Sequence, residues 1–176
     1  MPIIATAGDS KSFTPAPQGT HQAVCVDVID LGMVAGSYQG KPNVRHKIDV
    51  AWQIDETRDD GKRFVVYKRY TLSLGDKARL RADLESWRGR AFTDAELRGF
   101  DVETVKGANC LINIAHNTKG DKTYANVVSV MPLIKGMAKL LPVGYERRTK
   151  EAAAQEDSHV DEPLHDEVID EDTIPF

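Results

Sequence analysis

From residue 23 to 29 apolar and other side chains alternate, with Val24, Val26 and Val28 on one face, and this period of two predicts a first strand. The period returns over residues 44–54. There Val44, His46, Ile48, Val50, Trp52 and Ile54 share one side, while Arg45, Lys47, Asp49 and Gln53 take the other. Between these runs, residues 32–42 hold three glycines and Tyr38 and read as a Gly-rich loop. Residues 55–62 form a polar turn centred on Asp60-Gly61, a favoured hairpin dipeptide. A third strand is expected over residues 63–72, with Phe64, Val66, Lys68, Tyr70 and Leu72 on one face and Val65, Tyr67, Arg69 and Thr71 on the other. Lys68 breaks the apolar phase, so either it snorkels to a rim or a bulge re-aims it.

The period then lengthens. Leu80, Leu84 and Trp87 stand at i, i+4 and i+7, which predicts an amphipathic helix over residues 76–88. Ser73 with Asp76 resembles a capping box at its start, and Gly89 lies just past its end. Thr93 with Glu96 is a second capping box and opens a short helix. Residues 108–116 and 123–131 read as two more strands, joined by a turn over 117–122, and residues 133–141 as a short helix after Pro132. Residues 1–20 read as a loose arm and residues 143–169 as an acidic, low-hydrophobicity linker without stable structure. The expected domain is residues 21–142.

Three strands, a helix and two strands is the element order of the oligonucleotide-binding (OB) barrel, a five-stranded Greek-key barrel with its helix between strands three and four. The expected fold is therefore mainly β. No apolar run approaches the ~18 residues that cross a bilayer, and no signal-peptide pattern opens the chain, so a cytoplasmic protein without a membrane contact is expected. Cys25 and Cys110 lie in apolar strand-like runs and read as buried free thiols. The five histidines are scattered, so no metal site is expected from spacing.

Charge changes the picture. The chain has 23 basic and 27 acidic residues, a net of −4, but no Lys or Arg follows Lys150. Residues 1–150 carry all 23 basic and 17 acidic residues, a net of +6, and residues 151–176 carry ten acids. A basic body suits a polyanion, and a tethered acidic tail can compete for the same surface. The tail ends Asp170-Glu171-Asp172-Thr173-Ile174-Pro175-Phe176, so an apolar aromatic and the α-carboxylate share the tip. Pro175 fixes its own φ and biases Ile174 toward extension, and the carboxylates offer handles to a basic partner.

This tip resembles the C-terminal tail of bacterial single-stranded DNA-binding proteins. Residues 19–132 are similar to phage-encoded members of that class, through Lys68-Arg69-Tyr70-Thr71-Leu72-Ser73-Leu74, Leu84-Glu85-Ser86-Trp87-Arg88-Gly89 and Tyr124-Ala125-Asn126-Val127. The resemblance implies a protein that coats single-stranded DNA in replication, recombination or repair. It also implies that Asp170, Glu171, Asp172, Ile174, Pro175 and Phe176 recruit partner enzymes. OB-fold binders work as monomers, dimers and tetramers, and a homo-oligomer is one expected arrangement.

Single strands bind through cations along the phosphates and aromatic faces under the bases. The candidates on strands two and three are Arg45, Lys47, Trp52, Tyr67, Lys68, Arg69 and Tyr70, with Arg45, Lys47, Tyr67 and Arg69 expected on one outer face. Trp52 shares the phase of Ile48, Val50 and Ile54, so it reads first as a core position and second as a stacking one. Tyr38 in the first loop, and Lys119, Lys122 and Tyr124 at the last turn, occupy segments that line the cleft in OB folds. Trp87 completes the helix stripe and reads as packing. Catalysis finds little support: no GxxxxGK[ST] loop is present, and Asp55, Glu56, Asp59 and Asp60 cluster in a solvated turn. Asp27, Asp30 and Asp49 lack a spacing that demands a two-metal site, and no cofactor is expected. The alternative reading is an adaptor or DNA mimic that acts on a host factor through its acidic tail.

Overall fold

The long β-branched runs settle into a five-stranded antiparallel sheet. The computed structural model describes residues 14–157, apart from the side chains of 154–157. Its elements are β1 (Gly19–Tyr38), β2 (Lys41–Thr57), β3 (Arg63–Thr71), α1 (Arg79–Arg88), α2 (Asp94–Leu97), a 3-10 turn (Val102–Val105), β4 (Asn109–Lys119), β5 (Lys122–Pro132) and α3 (Lys150–Asp157). The strand order is β3-β2-β1-β4-β5. β1 is the centre and pairs with β2 from Ala23 to Tyr38 and with β4 over its first six residues. β3 and β5 are the edges of this open sheet, and Cα atoms of the two come within 8 Å of each other. The chain divides into two units, Met1–Tyr145 and Glu146–Phe176.

The apolar phase of β2 that the pattern picked out is buried as a set. Ile48, Val50, Trp52 and Ile54 pack with Cys25, Val66, Cys110 and Ile112, and α1 lays Leu80, Leu84 and Trp87 onto them. The Trp52 and Trp87 rings meet at 5.9 Å, and the Trp87 indole donates to the Asn109 carbonyl at 3.0 Å. Trp87 is packing, as its helical phase requires.

Several expectations are corrected. Residues 32–42 are no loop: β1 and β2 run on as one long hairpin that turns at Gln39-Gly40, both at positive φ. Gly32, at φ 70°, marks a bulge after Asp30, whose carboxylate accepts the Gly32 N–H at 2.7 Å. A glycine inside a strand can thus signal a bulge rather than its end. α1 begins at Arg79 with no side-chain cap, because Ser73 instead accepts the Gly75 N–H and Asp76 pairs with Arg81. The Thr93–Glu96 box forms as read, and Gly89 closes α1 in the left-handed region.

Residues 133–141 are not helical. Nor are residues 14–18 of the arm loose: Ala16 is buried in the core, and the carbonyl of Ala16 and the side chain of Gln18 both hold His116. The stretch read as unstructured linker begins with hydrogen-bonded residues up to Tyr145. In the second unit it forms α3, capped by Thr149, whose hydroxyl accepts the Ala152 N–H at 3.2 Å. Residues 158–176, including the acidic tip, lie outside the described residues. Among the described residues no helix is long and apolar enough to cross a membrane.

Candidate nucleic-acid interface

β2 has no bulge on its own side of either ladder between Lys41 and Gln53, so its odd-numbered side chains all leave one face. Register then fixes their neighbours. Lys47 pairs with Thr71, Asp49 with Arg69 and Ala51 with Tyr67 on β3; Tyr38 pairs with Lys41 and Val34 with Arg45 on β1. Arg45, Lys47, Tyr67 and Arg69 therefore share the outer face, together with Tyr38 and Lys41.

That face has two halves. Toward the hairpin turn it carries Tyr38, Lys41, Arg45 and Lys47, with no carboxylate at any register position from Lys41 to Lys47 or opposite them. The Arg45 guanidinium lies 5.6 Å from the Tyr38 ring centroid, and Tyr38 is 43 % exposed. Cation and aromatic face are thus in place side by side, the pairing that a nucleotide needs.

Toward the other half, the outer face is buried as deeply as the core. Val24, Ile29 and Ala51 are almost inaccessible there, and so are Asp27, Asp49 and Gln53. Arg69 grips Asp49 with two bonds, Nε–Oδ1 at 2.8 Å and Nη2–Oδ2 at 2.9 Å, so its charge is already matched. Residues 138–145 form a strap across this half. The Ala138 carbonyl accepts from Gln22 on β1, and the Leu141 carbonyl from Arg63 on β3. Asn109 both donates to the Leu140 carbonyl and accepts its N–H; Gln53 does the same with Val143, at 2.6 and 2.9 Å. Two side-chain amides thus stand in for backbone partners. At the strap's end the Tyr145 hydroxyl donates to Asp27, and burial together with nearby Tyr67 and Asp27 pushes its pKa up. Tyr67 is thereby half-buried beside Tyr145 rather than open.

Three candidates from β2 and β3 lie on the inner side. Trp52 is fully buried against Trp87, which leaves no ring face for a base. Lys68 Nζ and the Tyr70 hydroxyl both donate to Asp83 Oδ2 on α1, at 2.6 and 2.7 Å. Burial lowers the Lys68 pKa despite its partner, and burial, reinforced by Asp83, raises that of Tyr70. Lys68 breaks the apolar phase because a helix carboxylate waits for it.

Lys119, Lys122 and Tyr124 gather on the β4–β5 hairpin. Lys119 pairs directly with Lys122, and Asn117 with Tyr124, on one face of that ribbon. Like charges placed opposite each other destabilise a ladder, and an anion between them relieves this. This cluster sits beyond the first residue of β1, the far end from the Tyr38 turn, so the sheet register does not join the two groups. Lys41 was missed because it fell in the supposed loop; extending the Arg45–Lys47 alternation backwards finds it. The strap was missed because, Tyr145 apart, its bonds run to its backbone, which no sequence pattern marks. The chain matches no protein-family model and no curated protein.

Proposed function

We propose that this protein binds single-stranded DNA with little sequence specificity and recruits partner enzymes through its acidic tip. The observation that carries the reading is the outer-face strip of Tyr38, Lys41, Arg45 and Lys47, where an exposed ring and three cations share one phase. The sheet supports it: β1 pairs on both sides, the helix falls between β3 and β4, and the edges β3 and β5 approach. We read this as a partly open OB barrel. The strip and the β4–β5 lysines are then the DNA contacts, while Trp52, Lys68 and Tyr70 build the frame. The resemblance of the tail supports Asp170, Glu171, Asp172, Ile174, Pro175 and Phe176 as the recruiting end.

The test is fluorescence anisotropy with a labelled oligothymidylate over a salt series, on wild type and on Arg45→Ala/Lys47→Ala. Each phosphate neutralised contributes a slope of roughly −0.7 in log K against log salt, so the double variant should flatten the slope by about one unit or more. Equal affinity for duplex and single strand, or an unchanged slope, sinks the assignment. No binding at all leaves the adaptor reading.

A further inference from the structure

The start of β1 and the end of β2 bring together three side chains that no spacing in the sequence connects. Continuing the register from Ala23–Ile54 by two residues sets His21 opposite Glu56. The β2–β3 register breaks between Gln53 and Thr57, and in that irregular stretch the consecutive carboxylates Asp55 and Glu56 both turn toward His21. One donor atom from each of the three lies within 4.8 Å of the others.

His21 is built to offer a lone pair. Its side chain is only 8 % exposed, and its Nε2 lies 2.8 Å from the Pro17 carbonyl. A carbonyl oxygen only accepts, so Nε2 carries a proton, and in the neutral ring that tautomer leaves the Nδ1 lone pair facing the acids. Nδ1 stands 3.9 Å from Asp55 Oδ1, beyond hydrogen-bond reach. A backbone carbonyl that fixes the tautomer and ring orientation from behind is the usual support of a ligating histidine.

We propose that His21, Asp55 and Glu56 form a binding site for a divalent transition-metal ion, with zinc the best fit. One imidazole and two carboxylates are a borderline-to-hard donor set, and three protein ligands leave a fourth position to water. Tetrahedral bonds of about 2.0–2.1 Å bring donors to roughly 3.4 Å apart. Both carboxylates are exposed and can close that gap by side-chain rotation. The bound ion clips the first residues of β1 to the last of β2.

The test uses the full chain, titrated with zinc chloride by calorimetry and with cobalt chloride by its visible spectrum, beside Asp55→Asn/Glu56→Gln. Both proteins keep the acidic tail and its histidines, so any difference belongs to this site. One equivalent should bind to wild type at least tenfold more tightly than to the double variant. Imidazole 15N spectra of wild type should show the His21 Nδ1 resonance moving as zinc saturates. Equal stoichiometry and affinity in the two proteins overturns the site. So does an Nδ1 resonance that stays in place, which would leave a plain histidine–carboxylate contact.

Discussion

Replacing Asp83 with Ala removes one carboxylate oxygen on which Lys68 and Tyr70 both converge, and so tests how α1 is locked to β3. The side chains of Lys68 and Asp83 are 15 % and 13 % exposed, and Tyr70 is 3 % exposed. Breaking a buried ion pair from one side costs about 3–5 kcal/mol, and an orphaned buried hydroxyl about 1–3 kcal/mol. The sum overstates the loss. Burial already lowers the Lys68 pKa, so Lys68 can shed its proton rather than remain a buried charge, and the two bonds share one acceptor. The expected net loss is about 3–4 kcal/mol, a fall in Tm of roughly 10–15 °C for a domain of this size. Urea and thermal unfolding followed by circular dichroism measure it, in a double-mutant cycle with Lys68→Met. The Lys68–Asp83 coupling should exceed ~1.5 kcal/mol, and Lys68→Met should leave the salt slope of DNA binding unchanged. A loss below ~1 kcal/mol for Asp83→Ala refutes the clamp. A salt slope reduced by about one unit in Lys68→Met returns Lys68 to the DNA surface.

Gln53→Ala removes both bonds to Val143, and the strap should open locally at a cost of about 2 kcal/mol. Hydrogen exchange at the Val143 amide should accelerate about thirtyfold, and unchanged protection there refutes the strap's dependence on Gln53. Glu96 is held down to about 2, first by the Arg88 guanidinium and then by the Thr93 N–H. A depressed carboxylate contributes above its ordinary value and loses that contribution as pH falls from about 4.5 toward 2. Acid unfolding of Glu96→Gln should therefore be flatter than wild type across that window, and parallel curves would contradict the assignment. Burial pushes the Cys25 thiol to about 12 and that of Cys110 upward as well. Iodoacetamide at pH 8 should leave both untouched in the native protein and alkylate both in urea, and native labelling would show the core to be open.

Periodicity determined β2, β3 and the inner face they share, but not β1. There the bulge between Cys25 and Asp27 turns Val24 to the outer face and Val28 to the inner one, against the single face that alternation implied. Ile48, Val50, Trp52 and Ile54 recur every second residue, and a sheet with one buried side has no other way to place them. The same rule put Arg45, Lys47, Tyr67 and Arg69 on one outer face, and Leu80, Leu84 and Trp87 on the helix stripe. Local chemistry was also legible where it is self-contained, as in the Thr93–Glu96 box.

What the sequence could not carry were partners far along the chain. Lys68 looked like a cation out of phase until Asp83 arrived from α1, and Arg69 looked like a phosphate contact until Asp49 met it across the ladder. Gln53 and Asn109 read as ordinary polar strand positions, yet the tertiary structure uses their amides to hold residues 138–145 over half of the outer face. The scattered histidines hid His21 from Asp55 and Glu56 for the same reason. Alternation fixes which way a side chain points wherever no bulge interrupts the ladder. What it meets there depends on which segment crosses that face, and only the packing of the whole chain decides that.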